Sequence, residues 1–323
     1  MKIIGIGNAL VDVLTQLEDD RLLEELGLPR GSMQLVDAER SAKIQEKSKN
    51  LKKTMASGGS AANTIHGLAK LGTETAFIGC VGKDETGRFF EEDLKNSGIK
   101  PVLFYSDSPS GIANGMISPD GERTFGTFLG AALDLSPEML SQSHFEGYDI
   151  LHVEGYLVQN HELLETILKL AKAAGLKISL DLASYNVVED NLEFLQEMVK
   201  NYVDIVFANE EESKAFTGKE PEEALDAIAD LADIAVVKIG SKGSMVKQGE
   251  TVTRIVPIKA KAVDTTGAGD LYASGFLYGL ANDLGFEKAG AIGSLLSGTV
   301  VEVLGAKFGE EKWTEIREKV KAL

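Results

Sequence analysis

Six short apolar, β-rich runs alternate with helical stretches along most of the chain, and this rhythm limits the possible folds more than any other feature. Lys2–Ile6, Thr75–Ile78, Ile150–Val153, Ile178–Asp181, Ile205–Ala208 and Ile234–Ile239 read as strands. Ala61–Leu71, Arg88–Ser97, His161–Ala174, Glu189–Tyr202, Glu210–Phe216 and Glu222–Leu231 read as helices, several closed by a glycine such as Gly72, Gly98 or Gly175. Strand, helix, strand is a parallel crossover, so the expected core is an α/β fold: a mainly parallel sheet with helices on both faces. Two regions, about 12–37 and 99–130, break the rhythm. Alternating residues there, with the turns Pro109-Ser110-Gly111 and Pro119-Asp120-Gly121, predict β-hairpins and one small β-structure. If both project from one edge of the main sheet, they form a lid over the crevice beyond the strand ends, where open α/β sheets bind ligands. No repeat, low-complexity tract or Pro/Ser-rich linker divides the chain, so a single domain over 1–323 is expected.

Charge narrows the partners. Lysine and arginine number 33 against 50 aspartates and glutamates, a formal net charge of -17, which argues against nucleic acid or an anionic membrane as the main partner. A small anion remains compatible, because backbone N–H groups at a helix N-terminus hold anions whatever the distant surface carries. The single cysteine, Cys80, allows no internal disulfide and follows an apolar run, so a buried thiol and a reducing cytoplasm are expected. Met1 to Asp12 contains no apolar signal core, and no later run reaches membrane-spanning length.

The strongest chemical feature is Asp264-Thr265-Thr266-Gly267-Ala268-Gly269-Asp270, followed directly by the apolar helix Leu271–Leu280. Two glycines around a small alanine let the backbone approach a ligand, and the helix they open offers unpaired N–H groups and a positive dipole end. Negative charge developing on a transferred phosphoryl group would be stabilised there. Asp270, where loop becomes helix, is placed to accept a proton from an attacking hydroxyl. A lone aspartate at that position would be a cap or first-turn acid; the glycines before it favour the base.

Gly58-Gly59-Ser60-Ala61-Ala62-Asn63 opens another helix. Its small residues admit a ligand and Asn63 offers both donor and acceptor to a hydroxyl-rich substrate; equally, it is a glycine-rich turn capped by Ser60. Asp12, just past the first strand, suits either a grip on a diol or a turn acid at the lid hinge. Asn209-Glu210-Glu211-Glu212 spans one helical turn after a strand, a spacing suited both to hydrated magnesium and to a capping box. Gly240-Ser241-Lys242-Gly243 either borders a nucleotide or turns a hairpin.

Other motifs fail. Gly5-Ile6-Gly7-Asn8-Ala9-Leu10 lacks the last small residue of a dinucleotide fingerprint, no Walker A sequence occurs, and His161-Glu162-Leu163-Leu164-Glu165 ends in Glu where a zincin helix needs His. His66, His144 and His152 have no metal-ligand spacing.

With these residues in hand, the chain resembles the ribokinase superfamily of carbohydrate and nucleoside kinases over nearly its whole length. Gly58–Gly72 matches the N-terminal family signature, Asp264–Leu280 the C-terminal one, and Asn209–Glu212 the magnesium and phosphate motif. The resemblance implies a ribokinase-like three-layer α/β/α sandwich with a β-lid, ATP and Mg2+ as cofactors, and Asp270 as base with Gly267, Ala268 and Gly269 as anion hole. It further implies that Asp12, Gly58, Gly59 and Asn63 bind substrate and that ATP lies between Gly240 and Gly243 and the helix near Ser297, with contacts from Asn209 and Thr266. Glu212 would hold magnesium through water. Asp264 and Thr266 match positions that hold a monovalent cation, K+ for instance, in some members.

Within the superfamily, Gly7–Asp12, Gly31-Ser32-Met33-Gln34, Gly121-Glu122-Arg123 and Tyr202–Glu210 are similar to segments of adenosine kinases. By that likeness Gln34 approaches the purine, Tyr156 and Leu157 fall at the aromatic wall against the base, and Phe125 or Leu129 adds lid contacts. Two departures stand out: Ile239–Gly243 is nearer the sugar-kinase form, and an aromatic is missing at Leu157. The implied reaction is ATP-dependent phosphorylation of a hydroxymethyl group, adenosine to AMP, with a ribose or fructose kinase or a non-catalytic nucleoside-binding protein as alternatives. The protein would be a monomer, or a homodimer paired through the lid.

Overall fold

The computed structural model describes residues 1–323. Its main sheet has nine strands in the order Thr251–Ile255, Ser244–Gln248, Ile234–Lys238, Ile205–Ala208, Lys177–Asp181, Ile150–Glu154, Ile3–Ile6, Thr75–Gly82, Ile99–Ser106. Every neighbouring pair from Ile234–Lys238 to Ile99–Ser106 is parallel, and the first two strands close that edge as an antiparallel hairpin. Successive residues point to opposite faces, so each strand feeds two cores. Ile4, Ile178 and Leu180 pack with Leu164, Leu195 and Phe216 on one face. Ile3, Ile205 and Phe207 pack with Ile65, Phe90 and Phe276 on the other. The result is the three-layer α/β/α sandwich expected from the strand and helix rhythm.

A second sheet has five strands in the order Met33–Leu35, Arg123–Phe128, Gly111–Ile117, Leu10–Gln16, Lys53–Gly58. Helices Arg21–Leu26 and Ala38–Lys47 cover one of its faces, where Leu23, Leu26, Ile44 and Met116 form a small core. The other face carries Asp12 and meets the loops around 264–267 and 304–307: Arg123 pairs with Asp264, and a Cβ on Gly305 would touch Leu14 at 3.3 Å.

The strand limits differ from the expected lid in two places. Ile99–Ser106 is not a lid hairpin; it pairs in parallel with Thr75–Gly82 and closes the edge of the main sheet. As an edge strand it is only half covered, so most of its residues stay partly exposed, and Pro101 is tolerated where one ladder is missing. Lys53–Gly58, outside both expected lid stretches, is an edge strand of the second sheet paired antiparallel with Leu10–Thr15. The expected helix 189–202 is two helices, Tyr185–Asp190 and Leu192–Tyr202, interrupted where Asn191 turns back to donate to the Val187 carbonyl at 2.9 Å.

Candidate active site

The apolar helix Ala268–Ala281 begins at Gly267, whose φ of 74° places it in the left-handed region; a Cβ there would also meet that of Ala306 at 2.5 Å. This turn brings Asp270 into the first helical turn, facing the start of helix Ser60–Lys70. The Ser60 hydroxyl donates to Asp270 Oδ1 at 2.8 Å and the Asn63 amide to Oδ2 at 3.0 Å. Ser60 is therefore not the helix cap; Gly59 occupies that position and Ser60 orients the carboxylate. Asp270 is half-buried, yet its carboxyl lies among protein groups. Burial pushes it up to about 7 against the opposing hydrogen bonds from Asn63 and Ser60. That value suits a group that must change protonation near neutral pH. The Oδ1 of Asn63 is buried without a partner, leaving an acceptor for a hydroxyl.

Around the same helix start, the Ala268 N–H closes the turn onto the Thr265 carbonyl at 3.1 Å. Of the expected anion-hole amides, those of Gly267 and Gly269 thus remain without a protein acceptor, while that of Ala268 is already engaged.

Asp12 lies on the second sheet, and Gly58 makes room for it: a Cβ at Gly58 would fall 2.3 Å from the Asp12 carboxylate. Gly59, at φ 96°, would clash with the Asn8 carbonyl at 2.2 Å if it carried a side chain. The two glycines link the Asp12 face of the second sheet to the helix that orients Asp270. Burial raises Asp12 to about 6, opposed by the charges of Lys307 and Arg123.

Gln34 departs from its expected role. It pairs with Gly126, which pairs with Asn114, and the Asn114 amide donates to Ser41 on the covering helix at 3.1 Å. Paired residues share a face, so Gln34 points away from Asp12. The face of Asp12 instead carries Leu14, Phe125 and the exposed Met33 and Leu35, at 66% and 64% exposure. Tyr156 follows the strand Ile150–Glu154, where burial and the nearby Glu154, Glu212 and Asp270 charges push its phenol up to about 12.

Asn209 and Glu212 form a complete capping box: the Asn209 N–H and side-chain amide donate to Glu212 at 2.8 and 2.7 Å, and Glu212 N–H donates back at 2.8 Å. Burial raises Glu212 to about 7, with Lys238 opposing. Lys238 and Asp181, at the ends of two strands separated by Ile205–Ala208, form an ion pair at 3.0 Å. Sequence reasoning missed both. Their signal was available: each is a lone charge closing an apolar parallel strand at the end where such sheets bind ligands. Glu154 was missed for the same reason; it accepts from Asn8 at 2.6 Å and from the Ala61 N–H at 3.2 Å.

The structure puts Gly240, at φ 54°, in the turn after Ile234–Lys238, beside the Glu210 carboxylate. Gly243 is required by the fold itself, since a Cβ would sit 2.0 Å from the Ile255 carbonyl. Ser297 lies on helix Gly285–Val300 next to Gly298, whose missing side chain admits Ile258.

The monovalent-cation expectation does not fit Asp264. Its Oδ1 accepts from the Thr266 N–H at 3.1 Å and hydroxyl at 2.8 Å, and its Oδ2 from the Gly305 N–H at 2.9 Å and from Arg123. Two donors on each oxygen fill the acceptor sites of the carboxylate and leave none for a cation. Arg123, which also contacts the Thr266 hydroxyl, keeps Nε and Nη2 buried without partners.

A carboxylate held beside unpaired helix-start amides, under a second sheet bearing another buried carboxylate, fits a phosphotransferase acting on an alcohol. The sequence profile of the pfkB family carbohydrate kinases matches residues 31–313, and the chain belongs to that family. It is an ATP-dependent kinase of a sugar or nucleoside. Ribokinase of Lactococcus lactis is 31% identical over 278 residues, 83% of this chain and 87% of that enzyme. The structure of a probable sugar kinase from Rhizobium etli CFN 42 aligns with a TM-score of 0.87 at 31% identity, covering 99% of this chain and 98% of that one. Adenosine kinase from Sinorhizobium meliloti aligns with a TM-score of 0.86 at 31% identity, covering 98% and 99%.

Proposed function

We propose that the protein phosphorylates the hydroxymethyl group of a nucleoside, adenosine to AMP. One observation carries the nucleoside over a simple sugar: the face that presents Asp12 continues into an apolar wall of Leu14, Phe125, Met33 and Leu35. A sugar has no apolar face of that extent to cover it; a purine does. Asp12 grips the ribose diol and Asn63 Oδ1 accepts from a substrate hydroxyl. Asp270 takes the proton of the attacking hydroxyl, while the Gly267 and Gly269 amides hold the phosphoryl charge. Closure of the second sheet excludes water from the reacting groups.

Residues of the main sheet serve the nucleotide. Asn209 and the Gly240 turn border the phosphates, and Ser297 and Gly243 flank the base. No group of three or more His, Cys, Asp or Glu side chains converges to hold a metal. Glu212 suits a magnesium ion that keeps its waters and comes with the nucleotide. When bound, magnesium neutralises phosphate charge. No monovalent cation takes part at Asp264.

The test is an acceptor panel with ATP and magnesium. Adenosine should give the highest kcat/KM, at least about 100-fold above ribose and fructose, as expected where a built site loses a large apolar contact. A higher kcat/KM for ribose or another simple sugar would replace the nucleoside with that sugar.

A further inference from the structure

Lys238 is a buried cation at the centre of the site to which the family signatures assign nothing. It closes the strand Ile234–Lys238 at the ligand-binding end of the sheet, and its side chain is 14% exposed. Its ammonium lies 3.0 Å from Asp181 and 3.0 Å from where a Cβ on Gly269 would stand. The Gly269 amide is one of the two left without an acceptor, so the ammonium and that amide border the same space. Asp181 pairs with it directly, and the negative charges of Glu212 and Asp270 act on it from further off.

We infer that Lys238 is a further catalytic residue, whose ammonium contacts the phosphoryl group during transfer and is held in place by Asp181. A counterion needed only to balance Asp181 would gain nothing from reaching past it to the glycine at the helix start. A phosphoryl group entering among three acids, by contrast, needs a fixed cation at that point. During transfer the acceptor oxygen bonds to the γ-phosphorus as its bond to the bridging oxygen of ADP breaks. The hydroxyl proton goes to Asp270, and Lys238 keeps its proton throughout. Burial alone would lower the lysine; Asp181, Glu212 and Asp270 outweigh it and keep it cationic. Gly269 has a matching role, since a side chain there would press on the ammonium.

This inference rests on the proposed transfer at Asp270 but not on the acceptor, so it is tested with whichever acceptor the panel selects. Lys238→Met should lower kcat about 100-fold with the acceptor Kd changed less than about twofold, and Lys238→Arg should recover at least about tenfold of that loss. Because Lys238→Met leaves buried acids unpaired, Lys238→Met/Asp181→Asn is measured beside it, removing the pair together. The double variant should fold and stay as slow as the single one. Near-normal kcat in the double variant would overturn the inference, showing that Lys238 only neutralises Asp181. No rescue by arginine together with equal losses in kcat and acceptor affinity would also overturn it. Failure of the Asp270 mechanism would show separately, as turnover surviving in Asp270→Asn whatever Lys238 does.

Discussion

The two carboxylates that bracket the cleft live in different surroundings. Asp270 stands on the main body, tied by Ser60 and Asn63 and influenced by Lys238 and Asp181 on strands behind it. Asp12 stands on the second sheet and accepts no hydrogen bond; only burial and the more distant charges of Lys307 and Arg123 act on it. In the proposed mechanism the first is preorganised for one proton transfer, and the second is left for the substrate to satisfy. On that reading the reacting end is rigid, and the recognising end is completed by what it binds.

This contrast predicts effects of unequal size. Asp270→Asn should reduce kcat by about 1000-fold or more while calorimetric acceptor affinity stays within a few-fold, since only proton transfer is lost. Asp12→Ala should act mainly on KM for the acceptor, raising it about 10- to 100-fold with a smaller change in kcat; steady-state kinetics separate the two, and a loss confined to kcat would erase the contrast.

Stability sharpens the same comparison. Asp270 moves from 3.8 in the unfolded chain to about 7 in the folded one. Between those values the folded protein holds a proton that the unfolded chain has released, so stability is fully present below the lower value and falls until the pH passes the upper one. Asp270→Asn removes this cost. Its melting temperature should exceed that of the parent by about 2 °C or more near pH 8, and by little near pH 4. Smallest of all, Gln34→Ala should change acceptor KM less than about twofold, whereas Phe125→Ala, on the face of Asp12, should raise it about tenfold. A large Gln34 effect would require the second sheet to present its other face.

Much of the fold was legible because apolar parallel strands are short and unmistakable: Ile150–Glu154 and Ile205–Ala208 are buried throughout. The edges were not. Ile99–Ser106 is only half covered and carries Pro101, so it did not read as a main-sheet strand, and Lys53–Gly58 is too polar to signal a strand at all. In the site, Asp270 and the glycines beside it could be read because loop, base and helix are contiguous. Lys238, Asp181 and Glu154 gave a weaker signal, each a single charge at a strand end whose neighbours come from distant segments. Gln34 failed for a geometric reason: a two-residue period sends adjacent side chains to opposite faces, and the chain alone does not say which face meets the cleft.

The central claim, that Asp270 is the base and that Ser60 helps set its proton affinity, is tested most directly by the pH dependence of single-turnover phosphoryl transfer. The rate should rise with pH along a limb centred near 7, as burial of Asp270 requires. Ser60→Ala removes a donor that favours the carboxylate, so the limb should move to higher pH by about half a unit or more. A limb that stays in place in Ser60→Ala, or a rate independent of pH through neutrality in the parent enzyme, would contradict the account.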